Sequence, residues 1–378
     1  AYRMRYPTEQ EAALMVERMP LVLMMAGGTG GHVYPALAVA GELLDRGYRV
    51  EWVGTSRGLE QRVVPAEGIT LHHLLVRGVR GKNILHKLLG VLMLVLASLQ
   101  ALWLVARRSP RCVVGMGGYA AGPAAVAAWL LRKPVMIHEQ NAVAGTTNRL
   151  LAPLASTVVA GFDGAFGDEV DCEVLGNPIR RELVEVGASR LYDYAGQRAL
   201  RLLVLGGSLG ALPINNAIPG AVRRLVQQNA SLEVWHQSGT AHVEAVRETY
   251  GELLDRDVRV AAFIEDMASA YAWADLVVCR AGALTVSELA VMGCPAILVP
   301  LPHAIDDHQT ANARSLTDRG GAILLRQSDM NETSLVQALE GYLSQPHRLA
   351  SMAAASRAAA TPDAAARVSD RVEELIND

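Results

Sequence analysis

The stretch LVLMMAGGTGGHVYPALAVAGELLDRGYRVEWVG, residues 21–54, carries the pattern that decides the fold. It opens with a short apolar run at 21–26, passes through a glycine-rich turn, and continues as an amphipathic segment at 33–46 before a second apolar run. Short apolar strands that alternate with helices of about 10–15 residues are typical of a parallel sheet wrapped by helices. The stretch therefore predicts an α/β fold.

The same alternation continues along the chain and restarts after Pro178. We predict two Rossmann-like, doubly wound halves with a boundary near Gly176–Arg181. The expected divisions are an N-terminal extension at 1–20, a first domain at 21–178, a second domain at 179–355, and a C-terminal helix at 356–378 that is a candidate to pack back on the first domain.

Composition and charge exclude some classes of protein. The chain has 378 residues, of which 51% are hydrophobic and 19% charged, so it can build real cores and is not intrinsically disordered. Its net charge of −3 and its aromatic content of 5% disfavour a nucleic-acid partner, which would call for a basic surface or stacking platforms.

Three glycine-rich turns follow apolar runs: GGTGGH at 27–32, GMGGY at 115–119 and GGSLG at 206–210. Glycine lets the backbone approach a ligand closely, and a following helix directs free N–H groups at an anion, so we expect phosphate-bearing ligands. No turn continues into the Gly-Lys-Ser/Thr of a Walker A loop, which disfavours ATP hydrolysis. The spacing also departs from G-x-G-x-x-G, and no clear acid ends the strand at Gly54, which disfavours a nicotinamide cofactor.

Two further segments carry polar groups where parallel sheets bind ligands, after the carboxyl ends of strands. At 280–288 a helix start offers amides to a phosphate, and Glu288 can accept the hydroxyls of a ribose diol. The alternative for this segment is an ordinary helix start with an acid in its first turns. The loop at 301–309 ends in Gln309, whose amide suits sugar hydroxyls.

We expect neither a metal nor a cofactor. The acidic pair in Asp255-Arg256-Asp257 lies in a polar turn, which favours a solvated loop over a metal site. The side chains of the 301–309 loop that could instead ligate a metal are His303, Asp306, Asp307 and His308.

The segment from Leu88 to Ala106 has no charged residue and is flanked by basic residues, so 77–111 is a candidate membrane-docking patch. Its length alone would suit a transmembrane helix. A spanning helix would put the strands before and after it on opposite sides of a bilayer, where they could not share one sheet. We therefore favour a helix on the sheet with an outward apolar face ringed by cations, which suits an anionic bilayer surface. The remaining alternative is an ordinary buried helix.

Several blocks together resemble the MurG family of bacterial glycosyltransferases, within glycosyltransferase family 28. They run in family order from about Leu21 to the C-terminus, and they are GGTGGHVYPALAVA, GMGGYAAGP, HEQNAVAGTTNRLLA, GNPIR, GGSLGA, WHQSG, AYAWADLVVCRAGALTVSELA and HQTANA. The resemblance implies a GT-B fold, in which two Rossmann-like domains face each other across a cleft.

The resemblance also implies an activity and a place in the cell. Family members transfer N-acetylglucosamine (GlcNAc) from UDP-GlcNAc to lipid I, giving lipid II for peptidoglycan synthesis, a cell-wall process linked to cell shape and division. Lipid I is anchored at the inner leaflet, so the implied location is the cytoplasmic face of the inner membrane, with peripheral docking through 77–111. Other cell-wall synthesis proteins are candidate partners.

The resemblance assigns most donor contacts to the second domain. Arg180 and Ser208 would contact phosphate, and the backbone of Ile264 would contact the uracil edge. The diphosphate would bind at Ala283, Leu284 and Thr285, with Val286 and Ser287 in the same stretch. Glu288 would bind the ribose, and Gln309 would bind the GlcNAc hydroxyls. From the first domain, Asn141 would reach the GlcNAc, and Thr29, Gly30 and Gly31 would hold the acceptor pyrophosphate or the donor sugar. The chain departs from the expected pattern at Leu209 and His308, where many members carry glutamine.

The implied reaction is a single, metal-independent inverting displacement. The C4 hydroxyl of the N-acetylmuramyl residue attacks the anomeric carbon, UDP leaves, and a β-1,4 link forms. A base must take the hydroxyl proton while charge builds on UDP. His32 is the candidate base, because a neutral imidazole can accept a proton near pH 7, and Glu139 is the second candidate. The alternative role of His32 is to position the acceptor phosphate.

Two rival functions stay open on the residues alone. A UDP-GlcNAc 2-epimerase would bind the same nucleotide without a lipid acceptor and would exchange the C2 proton with solvent. A non-catalytic, membrane-docking nucleotide-sugar-binding subunit would bind UDP-GlcNAc but release no UDP by itself.

Overall fold

The computed structural model describes residues 19–75, 84–118, 120–207, 210–302 and 307–378, and only the backbone of 84–89 and 91. The chain divides into two compact units. Unit 1 comprises the described residues up to Gln140 together with 144–178 and 363–378, and unit 2 comprises 141–143 and 179–362.

Unit 1 is a parallel sheet covered by helices. Its strands are β1 (Leu21–Met25), β2 (Arg49–Gly54), β3 (Thr70–His73), β4 (Cys112–Gly115), β5 (Val135–Glu139), β6 (Thr157–Ala160) and β7 (Glu173–Val174). Its helices are α1 (Gly30–Asp45), α2 (Glu60–Ala66), α3 (Ile84–Arg108), α4 (Ala121–Leu130), α5 (Thr146–Leu151) and, from the end of the chain, α14 (Ala364–Asn377). The sheet order is β3-β2-β1-β4-β5-β6-β7, with all neighbouring pairs parallel.

The centre of this sheet positions the first glycine turn. All five residues of β1 are buried. A strand that is covered on both faces has a continuous apolar sequence, as β1 does. β1 lies between β2 and β4, so the turns that follow β1 and β4 meet at the carboxyl edge of the sheet. Open α/β sheets bind ligands at this kind of switch point.

Unit 2 repeats the plan. Its strands are β8 (Leu200–Leu205), β9 (Leu232–Gln237), β10 (Val258–Ala261), β11 (Leu276–Cys279), β12 (Ala296–Leu298) and β13 (Ala322–Leu324). Its helices are α6 (Arg181–Ser189), α7 (Leu212–Gln227), α8 (Val243–Tyr250), α9 (Met267–Trp273), α10 (Ala283–Met292), α11 (His308–Thr317), α12 (Glu332–Ser344) and α13 (His347–Ala358). The sheet order is β10-β9-β8-β11-β12-β13, again all parallel. The two doubly wound parallel sheets confirm the predicted α/β class.

The predicted C-terminal helix at 356–378 is two helices in the structure. α13 ends at Ala358, and α14 begins at Ala364, after Pro362. A proline disfavours helical backbone in the residue before it and cannot donate a helical hydrogen bond, which explains the break. α13 stays with unit 2, where the Ser356 hydroxyl donates to the carbonyl of Leu289 at 3.1 Å.

α14 is fastened to unit 1 by both apolar and charged contacts. Val368 and Val372 are fully buried in the same core as α1. Arg46, just after α1, donates to Asp370 at 2.7 Å and to Glu373 at 3.0 Å. Each buried valine contributes roughly 1.5–3 kcal/mol, so the apolar contact dominates over these partly exposed ion pairs.

α3 has a buried face and an exposed apolar face. Ala97, Ala101 and Val105 are fully buried, whereas Leu99 is 59% and Trp103 63% exposed. The other exposed large apolar side chains of this helix are Leu92, Leu94, Val95 and Leu96. None of the helices among the described residues is long and apolar enough to span a membrane.

A buried carboxylate ties the end of α3 to the sheet. Glu51 on β2 accepts hydrogen bonds from both Arg108, in the last turn of α3, and His72, on β3, the latter at 2.8 Å. Although burial opposes ionisation, these partners lower the pKa of Glu51 to about 2. The carboxylate therefore stays charged at neutral pH and links three elements of unit 1.

Candidate active site

The first glycine turn, after β1, leads directly into the helix that carries His32. Thr29 precedes α1 with an extended backbone, φ −111° and ψ 163°, and Gly28 has φ +93°, a left-handed conformation that favours glycine. A helix leaves its first N–H groups without partners inside the helix. Gly30 and Gly31 supply such groups here, which is the arrangement expected for an anion.

The buried carboxylate of Glu60 shapes this turn. One oxygen of Glu60 accepts the N–H of Gly28 at 2.9 Å, and the other accepts the N–H and hydroxyl of Thr55 at 2.9 and 2.8 Å. A Cβ at Gly27 would lie 2.7 Å from the Glu60 carboxylate, so any other residue there would displace this carboxylate. Sequence reasoning missed Glu60 because its partner Gly28 is 32 residues away.

His32 belongs to a chain of hydrogen bonds that runs into the core of unit 1. Its Nδ1 lies 2.9 Å from Oε1 of Gln140, which follows β5. Nε2 of Gln140 lies 3.1 Å from Nδ1 of His138, and Nε2 of His138 lies 2.9 Å from the carbonyl oxygen of Gly176. Burial lowers the pKa of the His138 imidazole to about 4, so this ring is neutral at physiological pH.

The second glycine turn packs against the first. Gly117 has φ +97°, and a Cβ there would lie 2.6 Å from Nδ1 of His32. Gly118 has φ +90°, and a Cβ there would lie 2.5 Å from the carbonyl oxygen of Gly27. Close packing of the two turns accounts for both glycines, so they do not by themselves indicate a second phosphate site. Tyr119 lies outside the described residues.

Glu139, the second candidate base, is buried and holds a loop. Its Oε2 accepts the N–H of Gly145 at 3.0 Å and the amide of Asn148 at 2.8 Å. These contacts fasten the segment between β5 and α5. The imidazole of His32 is partly exposed, whereas Glu139 is 2% exposed, so the geometry favours His32 for direct contact with a substrate.

In unit 2, the loop after β11 presents a helix start. Gly282 precedes α10 with φ −65° and ψ 143°, and the helix begins at Ala283. Ala283, Leu284 and Thr285 therefore carry the first N–H groups of a ten-residue helix. A helix start is therefore present where the sequence predicted one, and its binding of a diphosphate stays a prediction.

Glu288 and Arg180 are brought together one turn further along. Oε1 of Glu288 lies 3.6 Å from a guanidinium nitrogen of Arg180, and Oε2 accepts a hydrogen bond from the Tyr271 hydroxyl at 3.1 Å. Burial raises the pKa of the Glu288 carboxyl above its ordinary value, while Arg180 and Tyr271 oppose the rise. Sequence reasoning named Glu288 and Arg180 separately but not Tyr271.

Two further residues of the same stretch make hydrogen bonds within α10. Val286 is buried, and its N–H donates to the carbonyl of Gly282 at 2.9 Å inside the helix. The hydroxyl of Ser287 donates to the carbonyl of Ala283 at 3.0 Å. Both groups thus have partners within the helix, and their role as donor contacts stays a prediction.

Asn141 lies with unit 2 rather than with the first domain, where it was expected. The cause is the buried amide of Asn312, which donates to Oδ1 of Asn141 at 3.2 Å and accepts the N–H of Ala142 at 2.8 Å. Gln309, on the same helix as Asn312, accepts the N–H of Leu301 at 2.8 Å, so its amide oxygen already has a main-chain partner.

The backbone N–H of Ile264 already donates a hydrogen bond within unit 2. It donates to Oε1 of the buried Gln237 at 3.1 Å. A uracil edge that binds this N–H would displace the side chain of Gln237. No signal in the sequence indicated Gln237, because it lies at the end of β9, 27 residues before Ile264.

Some expected site residues fall outside the structural description. Ser208 and Leu209 lie outside the described residues, although their neighbours Gly207 and Gly210 have φ +75° and +78°. His303 and Asp306 also lie outside. In the part of the chain that is described, no group of three or more His, Cys, Asp or Glu residues is placed to hold a metal ion.

Comparison with protein families matches both halves of the chain. Residues 22–160 match the glycosyltransferase family 28 N-terminal domain, and residues 201–368 match the glycosyltransferase family 28 C-terminal domain. The two matches together cover well over half of the sequence.

Curated and solved relatives agree with these matches. An enzyme of Alkalilimnicola ehrlichii is 51% identical over 92% of this chain and 96% of its own length, and one of Tolumonas auensis is 46% identical over 94% and 99%. Both are named UDP-N-acetylglucosamine–N-acetylmuramyl-(pentapeptide) pyrophosphoryl-undecaprenol N-acetylglucosamine transferase. The crystal structure of Acinetobacter baumannii MurG is 39% identical, covers 94% of this chain and 99% of its own, and has a TM-score of 0.78.

Proposed function

The chain belongs to glycosyltransferase family 28, and on that premise we propose that it transfers GlcNAc from UDP-GlcNAc to lipid I, giving lipid II. The observation that carries the proposal is a match along nearly the whole chain to transferases named for this reaction. In cells, the reaction would supply the disaccharide unit for peptidoglycan.

We assign donor binding to unit 2. The first N–H groups of α10 take the diphosphate, because the positive end of a helix stabilises the charge that builds on UDP as it leaves. Arg180 adds a positive charge, and Glu288 accepts the ribose hydroxyls. These groups can stabilise the leaving group without a metal, which supports a metal-independent transfer.

We assign acceptor binding and proton transfer to unit 1. His32 takes the proton from the C4 hydroxyl of the N-acetylmuramyl residue as that oxygen attacks the anomeric carbon from the face opposite UDP. A single displacement of this kind inverts the anomeric configuration and gives a β-1,4 link. Its support is the position of His32 in the first turn of α1, beside the glycine N–H groups that suit a pyrophosphate.

We propose that the exposed apolar face of α3 docks the protein on the cytoplasmic face of the inner membrane. Trp103 and Leu99 project from this face, and the guanidinium of Arg107 lies 5.5 Å from the Trp103 ring. Trp129 and Leu130, on the neighbouring α4, are also exposed. An apolar surface with arginines at its border suits an anionic bilayer and would bring the enzyme to a lipid-anchored acceptor.

The first test is UDP release from UDP-GlcNAc in excess EDTA, with and without a lipid I analogue, for the parent and for His32→Ala. We expect release that depends on the acceptor and survives EDTA, with a loss of about 100-fold or more in kcat for His32→Ala and unchanged donor binding. No release despite donor binding and a competent analogue would favour the 2-epimerase or the binding subunit. Exchange of the C2 proton with deuterated solvent would separate these two.

A further inference from the structure

The hydrogen bonds that link His32, Gln140, His138 and Gly176 can each be assigned a donor and an acceptor, starting from the carbonyl oxygen of Gly176. A carbonyl oxygen can only accept, so the contact of 2.9 Å between His138 and Gly176 requires a proton on Nε2 of His138. His138 is 0% exposed and neutral, so its Nδ1 carries a lone pair.

This lone pair decides which way the amide of Gln140 faces. Only the NH₂ group of Gln140 can donate to Nδ1 of His138, at 3.1 Å, and the same group also reaches the carbonyl oxygen of His138 at 3.3 Å. The backbone carbonyl of Gln140 accepts the amide of Asn177 at 3.0 Å, which fixes the main chain here. The side-chain oxygen of Gln140 is therefore left facing His32.

An amide oxygen is also only an acceptor, so Nδ1 of His32, at 2.9 Å, must carry the proton. In the neutral ring, the lone pair is then on Nε2. We propose that Gln140 and His138 are positioning residues that hold His32 in the Nδ1–H tautomer, with Nε2 as the atom that receives the acceptor proton. This rests on the proposed function only for the last step, since the tautomer itself is a property of the free protein.

The arrangement has a clear physical purpose for a base. An imidazole in water exchanges between two tautomers and rotates freely, and only one arrangement offers a lone pair to the substrate. Gln140 is 1% exposed and cannot turn its amide without placing two donors or two lone pairs against each other. Gly117 packs against the same edge of the His32 ring, so the ring has little room to flip.

The direct test is the tautomer of His32, read from ¹⁵N and ¹³C chemical shifts of the full chain labelled at histidine, with His32→Ala used for assignment. We expect the Nδ1–H form for His32 and the opposite Nε2–H form for His138. In Gln140→Met, which keeps the bulk of the side chain but has no amide, His32 should shift toward the Nε2–H form. An Nε2–H signal for His32 in the parent, or no change in Gln140→Met, overturns the proposal.

A matched control separates this effect from lost stability. Asn215 in unit 2 is a similar buried amide that meets His236 at 3.0 Å. Asn215→Leu should lower the unfolding temperature by an amount comparable with Gln140→Met but leave the His32 signals as in the parent. A changed His32 tautomer in this control would mean that general destabilisation, not Gln140, sets the ring.

Kinetics test whether the tautomer is used. Gln140→Met should lower kcat roughly 10- to 100-fold with little change in KM for UDP-GlcNAc, and it should have no further effect on kcat in a His32→Ala background. An equal loss in both backgrounds, or a parent-like kcat despite the altered tautomer, contradicts the positioning role. If the parent transfers no GlcNAc at all, the proposed function fails while the tautomer measurement still decides the arrangement of the ring.

Discussion

Gly117 leaves room for the imidazole ring of His32, the candidate base, because glycine has no Cβ. Its positive φ and its contact with the His32 ring both require glycine. Gly117→Ala should cost about 1–3 kcal/mol of unfolding free energy and lower kcat at least 10-fold, because the added methyl group pushes the imidazole away from Gln140. Thermal unfolding and steady-state kinetics measure both effects.

Gly41 is the matched control for this substitution. It lies inside α1, and a Cβ there would meet nothing within 4 Å. Gly41→Ala should leave kcat unchanged and stabilise the helix by about 0.5–1 kcal/mol. Parent-like kinetics in a folded Gly117→Ala protein would show that the ring tolerates the methyl group.

Glu288 links donor binding to pH. Burial raises the pKa of its carboxyl in the free protein, and the ribose diol needs the ionised form as acceptor. Affinity for UDP-GlcNAc should therefore weaken as pH falls through this raised pKa, and titration calorimetry from pH 8 downward would follow it. Because burial disfavours the ionised Glu288 carboxylate, protonation of Glu288 over the same fall in pH should raise the free energy of unfolding of the ligand-free parent.

Glu288→Gln should remove both pH effects. The amide keeps the shape of the side chain, so we expect donor affinity about 10-fold or more weaker at pH 8 and a flat response below it. Glu182→Gln, at an exposed position in the first turn of α6, is the control and should behave like the parent. An unchanged pH profile in Glu288→Gln would assign the ribose to another group.

At the scale of elements, α3 should carry membrane attachment. Leu92 and Leu96 are one turn apart on its exposed face. Replacing both with glutamate adds charge where the bilayer is contacted, so co-sedimentation with anionic vesicles should be lost while UDP-GlcNAc binding is kept. Leu191→Glu, at an 87% exposed leucine in unit 2, should sediment like the parent. Unchanged sedimentation of the double variant would rule out this face.

The elements themselves were largely predictable, because a buried parallel strand is a short apolar run and the helices between strands are amphipathic. β1, β4 and β11 all lie where such runs predicted them. The break between α13 and α14 was not predicted, because the expectation of one helix at 356–378 took no account of Pro362. The contacts within the site could not be predicted in this way. His32 and Gln140 are 108 residues apart, and they meet only because the folded sheet brings the ends of β1 and β5 close together.

At the scale of the whole molecule, unit 1 depends on a helix from the far end of the chain. Truncation after Pro362 removes Val368 and Val372 from its core and should lower its unfolding free energy by roughly 3–6 kcal/mol. Calorimetry should then show an earlier transition for unit 1, while UDP-GlcNAc still raises the transition of unit 2. Glu374→Ala, on the exposed side of α14, should change neither transition. If the truncated protein shows one transition for both units, at a lower temperature than in the parent, then the units do not unfold separately.

The threading of the chain has a consequence for how the protein is made. Residues 179–362, which form nearly all of unit 2, are synthesised after strands β1 to β7 of unit 1 and before α14. During translation, the face of α1 that receives Val368 and Val372 stays uncovered while the whole of unit 2 emerges from the ribosome. Unit 1 is therefore the first unit to be started and the last to be completed. The apolar face of α1 must stay free of aggregation from its own synthesis until α14 is made.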